Sequence, residues 1–209
     1  MFAQGRILLC LAMAVSMAWV GGCQADSKVQ AGPQVRLDQV PLVRPFPLVA
    51  MDEPMVLEFT LPPPGKSASS TLFLGIRVRG DDGLKSLDAG REVRNLGLPA
   101  ELKLERLEGQ KSTMVPLVRV ESAAGTPARI EPIGPTGRVA GGWLENVDHQ
   151  ALQSAGLQPA GSYYTQVAFA WAQGQTPGRY RLSIRLLQPD GRLSSTPSEL
   201  LVAYVNKSK

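Results

Sequence analysis

Apolar and polar residues alternate with period two in several short stretches, the pattern of strands that bury one face. Leu57, Phe59 and Leu61 alternate with Glu58 and Thr60, and the run stops at Pro62-Pro63-Pro64-Gly65. Leu72, Leu74, Ile76 and Val78 alternate with Phe73, Gly75, Arg77 and Arg79 before the turn residues Gly80-Asp81-Asp82-Gly83. These two runs are expected to form a hairpin or neighbouring strands. Residues 102–108 and 114–121 are weaker candidates. Pro116 assigns the second to an edge or a bulge, because proline cannot donate to a ladder. Val167, Phe169 and Trp171 are predicted to share one face of a strand over 163–172. The clearest pattern starts at Pro177-Gly178: Tyr180, Leu182, Ile184 and Leu186 point inward, and Arg179, Arg181, Ser183 and Arg185 outward. Asp190-Gly191 then turns the chain, and 201–205 supplies a closing strand.

Helical spacing is rarer. Over 143–155, Leu144, Val147, Ala151 and Ala155 fall about one face, after Gly141-Gly142 and before Gly156. Residues 84–96 make a poorer helix, interrupted by Gly90. Frequent punctuation, with 17 Pro and 21 Gly, between short apolar runs predicts an all-β fold. The expected architecture is one antiparallel β-sandwich domain over 42–209 with one or two short connecting helices. At about 170 residues it is long enough to bury a sizeable core.

The N-terminus has a different pattern. Arg6 precedes an apolar run over 7–20 broken only by Ser16, too short for the ~20 residues that span a bilayer as a helix. This is the layout of a secretory signal. The following Val20-Gly21-Gly22-Cys23 resembles the bacterial lipobox: an aliphatic residue, two small residues, then cysteine. The resemblance implies a signal peptide over 1–22, cleavage before Cys23, and lipid on its thiol, the most nucleophilic side chain available for acylation. Two or more acyl chains would hold the protein firmly, since each buried methylene contributes about 0.8 kcal/mol. Lipoproteins with aspartate after the cysteine tend to stay in the inner membrane. Gln24 in that position implies the outer membrane, with the domain facing the periplasm. Residues 23–41, polar after the cysteine and without sustained periodicity, are expected to be a tether.

Cys10 leaves with the signal, so the mature chain has one cysteine and no disulfide can form within it. The run into Gly178-Arg179-Tyr180-Arg181-Leu182 resembles the strand at the tyrosine corner of immunoglobulin-like and fibronectin-like sandwiches, implying a buried ring whose hydroxyl reaches a backbone group. Pro45-Phe46-Pro47, the early Leu72-Phe73-Leu74 strand and the late Thr176-Pro177-Gly178-Arg179-Tyr180 together resemble a proteobacterial family of small lipoproteins of unassigned function. That resemblance implies location and fold, and no catalytic residues.

Chemical motifs are sparse. His149 is the only histidine, so a His-rich metal site is excluded, and no free cysteine remains for structural zinc. There is no Gly-x-Ser-x-Gly elbow, Walker loop or dinucleotide fingerprint. Asp81, Asp82 and Asp190 sit beside glycines, where turn formation accounts for them. No cofactor is expected. Loss of Arg6 leaves 21 basic and 18 acidic side chains, too even a balance to imply nucleic acid. Arg77, Arg79, Arg179, Arg181 and Arg185 would form a basic face if their strands were adjacent, suited to lipopolysaccharide phosphates or an acidic envelope protein. The expected function is a non-enzymatic binding or structural lipoprotein. A periplasmic inhibitor or immunity protein is the alternative, and an enzyme would require Glu105, Asp148 and His149 to converge.

Overall fold

The computed structural model describes residues 37–121 and 127–207. In chain order these form β1 (Leu42–Pro45), β2 (Met55–Leu61), β3 (Ala68–Gly80), α1 (Gly83–Leu96), β4 (Ala100–Glu108), β5 (Lys111–Met114), β6 (Val118–Glu121), β7 (Arg129–Pro132), β8 (Arg138–Val139), β9 (Trp143–Leu144), α2 (His149–Ser154), β10 (Tyr163–Ala172), β11 (Gly178–Leu186) and β12 (Ser198–Asn206). Two antiparallel sheets result. One has the order β1-β12-β3-β10-β6-β7, with β9 also on β10, and the other β2-β11-β4-β5, with β8 on β4. The expected all-β sandwich is the observed architecture.

The inner faces are built by the alternation read from the sequence. Leu72, Leu74, Ile76 and Val78 of β3 meet Tyr180, Leu182, Ile184 and Leu186 of β11 in one buried cluster. Burying a large aliphatic side chain contributes about 1.5–3 kcal/mol, and this interlayer cluster is the main source of stability. Tyr180 is fully buried, stacks on Phe59 at 6.0 Å between ring centroids, and donates its hydroxyl to the Thr176 carbonyl at 2.8 Å. That is the tyrosine-corner geometry: an apolar body in the core and a polar tip on the backbone a few residues upstream.

Several expectations are corrected. The 57–61 and 72–78 runs are neither a hairpin nor neighbours. β2 pairs with β11, whereas β3 lies between β12 and β10 in the other sheet. The triple proline carries the chain from one layer to the other, since three successive residues without a ladder donor cannot remain paired. The expected 114–121 strand divides at Pro116 into β5, an edge of the second sheet, and β6 in the first. Pairing also starts before residue 42. Thr60 donates to the Asp38 carbonyl at 2.7 Å and Val40 donates to that of Thr60 at 3.0 Å, so the end of the expected tether belongs to the domain.

The two helix candidates exchange rank. Residues 84–96 fall within the 14-residue α1, whose Asp82 cap accepts from the Lys85 amide at 2.8 Å. Gly90 is a contact point and not an interruption: a Cβ there would overlap Thr165 Cγ2 of β10. The 143–155 segment is helical only at its end. Trp143 and Leu144 pair with Ala168 and Val167, Val147 bridges Val205, and Asp148 caps α2 by accepting from the Ala151 amide. A helix cannot extend backward through residues already paired to two strands.

Sheet register also determines which face Trp171 occupies. Ala168 lies opposite Gly75 and Ala170 opposite Leu74, so Phe169 is the extra residue of a bulge. Gly75 permits it, since a Cβ there would overlap the Val167 carbonyl oxygen. Val167 and Phe169 consequently face the interlayer core, whereas Trp171 turns to the opposite face. The expected single face of Val167, Phe169 and Trp171 is broken at its last member. On that opposite face Trp171 joins Phe73, Val147, Leu152, Ala168, Leu201 and Ala203 in a second apolar cluster, beneath the segment carrying β9 and α2.

Candidate functional site

The five arginines expected to make a basic face are divided between the layers. Arg77 and Arg79 lie on β3, and Arg179, Arg181 and Arg185 on β11 of the other sheet. Arg77 is 4% exposed because the β9–α2 segment covers its side of β3. Its guanidinium donates to Glu199 at 2.7 Å and to the Leu157 carbonyl at 2.7 Å, and lies 4.1 Å from the centre of the Tyr164 ring. It clamps the covering segment to the sheet. Arg79 is exposed at the strand end.

The β11 arginines face solvent, as expected, but are matched by carboxylates. Glu58 accepts from Arg179 at 2.9 Å and Arg181 at 2.7 Å, and Glu101 accepts from Arg185 at 3.0 Å. Hydrogen bonding to Arg181 holds the Glu58 carboxyl below its ordinary 4.5, and Arg185 does the same to Glu101. This surface is a ladder of alternating charge across β2, β11 and β4, with little free positive potential for a phosphate.

Glu105, Asp148 and His149 do not converge. Glu105 sits on β4, where it accepts from Ser112 and lies 3.8 Å from Arg181. Asp148 and His149 cover the outer side of the other sheet. There Asp148 accepts from the Ser67 hydroxyl at 3.0 Å, and His149 Nδ1 lies 3.2 Å from Gln158 Oε1. Asp82 and Asp190 each accept a backbone amide from the turn that follows them. The Arg192 side chain also lowers the Asp190 pKa to about 2. Among the described residues no three His, Cys, Asp or Glu side chains form a metal-holding group, and no helix is long and apolar enough to cross a membrane. Cys23, the expected lipidation site, lies outside the described residues.

The arrangement best suited to a ligand is a two-lobed cleft around Trp171. β10 pairs with β9 through Val167 and Ala168 and with β6 through Trp171. Among the described residues that edge carries no strand partner at Phe169 and Ala170. The first lobe, about 670 Å³, opens at this gap and is lined by Phe169, Trp171, Trp143 and Gly142, with Arg94, Arg119 and Glu121. The second, about 420 Å³, lies beyond Val120 and Trp171, which line both lobes. It has a floor of Val118 and Val205 and a rim that includes Ile130, Thr71, Gln173, Asn206 and Lys207. Ile130 is 62% exposed.

Charge in the first lobe is not balanced. Arg119 is paired with Glu121, whereas the exposed Arg94 in the last turn of α1 has only the neutral Asn95 Oδ1 beside it, at 3.3 Å, and no carboxylate partner among the described residues. The first lobe therefore combines tryptophan walls, a carboxylate and one cation without a carboxylate partner, the mixture that binds a small polar ligand with a flat apolar side. Sequence reading missed this site. Its trace is Gly141-Gly142-Trp143, a tryptophan after residues without side chains, and that triplet was expected instead to enter a helix.

No family model and no curated protein matches the chain. Among solved structures, a crystal structure of a protein from Sulfurospirillum deleyianum is similar at 10% identity, covering 80% of this chain and 98% of that one, with a TM-score of 0.37.

Proposed function

We propose that the chain is a lipoprotein of the bacterial envelope, attached through Cys23, whose β-sandwich serves to bind an envelope component. Attachment rests on the apolar run over 7–20 followed by Val20-Gly21-Gly22-Cys23. The observation that supports binding is the cleft at Trp171, where two tryptophans, two arginines and a glutamate line one open lobe. Such a site acts by shape and polarity and requires no reactive group, as expected of a sandwich that presents ligand-contacting side chains on a rigid framework. Gln24 supports placement in the outer membrane, and Asp38 supports a short link, since among the described residues the chain is already paired to the sheet 15 positions after the cysteine.

Density-gradient fractionation of cells expressing the wild-type chain, Cys23→Ser and Gln24→Asp tests location. The wild type is expected with outer-membrane markers, Gln24→Asp with inner-membrane markers, and Cys23→Ser without acyl label. Acyl labelling of Cys23→Ser equal to wild type contradicts the attachment site. Photo-crosslinking from a probe at position 143, compared with one at exposed position 56 on the opposite sheet, tests the cleft. Equal yields at the two positions contradict a binding role for it.

A further inference from the structure

We infer that the cleft at Trp171 is a saccharide site selective for a sugar that carries a carboxylate. The inference rests on the binding role proposed above and names its ligand class. Trp143, half-buried in the wall of the first lobe, offers a flat apolar surface of the kind that packs against the C–H face of a pyranose. Glu121 in the same lobe accepts hydroxyl hydrogen bonds, and Arg94 and Arg119 present two guanidiniums. One guanidinium is already answered by Glu121. Arg94 is not, and a carboxylate on the ligand supplies the missing charge with the planar, two-pronged geometry that guanidinium favours.

The second lobe extends the same chemistry. Its lining carries amide and hydroxyl groups, including Gln173, Asn206 and Thr71, with one carboxylate, Glu145, and one ammonium, Lys207, over an apolar floor. This alternation matches a glycan, whose rings have apolar faces and polar edges. A nucleic acid would require repeated cations along the groove, and a hydrophobic peptide would leave the charged lobe desolvated and unpaired. Trp171 and Val120 line both lobes, so adjoining sugar units would lie to either side of them, with the acidic one beside Arg94.

Calorimetric titration of the detergent-purified full chain tests this. The probes are a disaccharide ending in N-acetylmuramic acid, representing the cell wall, a 3-deoxy-octulosonic acid disaccharide, representing the surface lipid, and neutral chitobiose. At least one acidic disaccharide is expected to bind about tenfold or more tighter than chitobiose, with the preferred one assigning the source. Arg94→Gln, a change at an exposed position, is expected to weaken acidic binding about tenfold and leave chitobiose unchanged. Trp143→Phe is expected to weaken all probes that bind. Equal affinity for acidic and neutral probes, no heat from any probe at millimolar concentration, or an Arg94→Gln variant that binds as wild type overturns the inference. Crosslinking from the cleft reads the binding role without any sugar probe, so a failure here is separable from a failure of that role.

Discussion

Tyr180 is held at both ends, its ring on Phe59 and its hydroxyl on the Thr176 carbonyl. Tyr180→Phe keeps the ring and removes one hydrogen bond, leaving that carbonyl short of a donor. The expected loss is about 0.5–1.5 kcal/mol in urea denaturation, the net worth of one hydrogen bond whose acceptor lies on the exposed Thr176. An unchanged midpoint would mean that water replaces the bond. Arg77 carries more, because it answers a carboxylate, a carbonyl and an aromatic face together. Arg77→Ala is expected to cost on the order of 3 kcal/mol, the low end for breaking a buried pair, since Glu199 keeps part of its hydration. It should also raise hydrogen exchange in α2, which the Leu157 contact holds down. A loss under about 1 kcal/mol would contradict the clamp. Alternation marked Arg77 as solvent-facing because period two identifies opposite faces of a strand without saying whether the second is also covered.

Among the elements, strand alternation was legible wherever one face meets solvent. β11 is the best case: its inward residues are buried and its arginines meet partners on β2 and β4. Those partners determine the acid behaviour of that face. Glu58 and Glu101 titrate below their ordinary value in the folded chain, so their contribution is fully present above about pH 4.5 and disappears as pH falls through the lowered folded-state values. Urea midpoints followed from about pH 6 to about pH 3 should decline less steeply in Arg181→Gln/Arg185→Gln than in the wild type, and equal slopes would contradict the ladder. Helices were harder to read. Gly90 lowers helix propensity by about 1 kcal/mol relative to alanine, which argued against α1. Packing outweighs that preference, because only glycine allows Thr165 so near. Gly90→Ala should therefore destabilise the fold by about 1–3 kcal/mol despite its better propensity, and Thr165→Ser, which removes the obstructing methyl, should recover most of the loss. Stabilisation by Gly90→Ala would show that the helix is free to move outward.

At the scale of the whole molecule, the sandwich was readable and the cleft was not. Strand existence is local information, whereas the cleft arises from a bulge at Phe169 and from two short strands, β9 and β6, that meet β10 at separate points. Each is a long-range pairing, and Val118 and Trp171 are apart in sequence by more than the length of most supersecondary units. The basic face failed for the same reason: its arginines share a pattern but belong to different sheets. The proposed N-terminal signal and lipid attachment at Cys23 rest only on contiguous residues, and that attachment is the central claim. Its most direct measurement is the intact mass of the protein extracted from membranes. The expected species is a chain beginning at Cys23, heavier than the polypeptide by a diacylglyceryl group and, where the amine is modified, a further acyl chain, with all added mass on the N-terminal peptide. A chain that retains residues 1–22, or one beginning at Cys23 or beyond without added lipid, would contradict it.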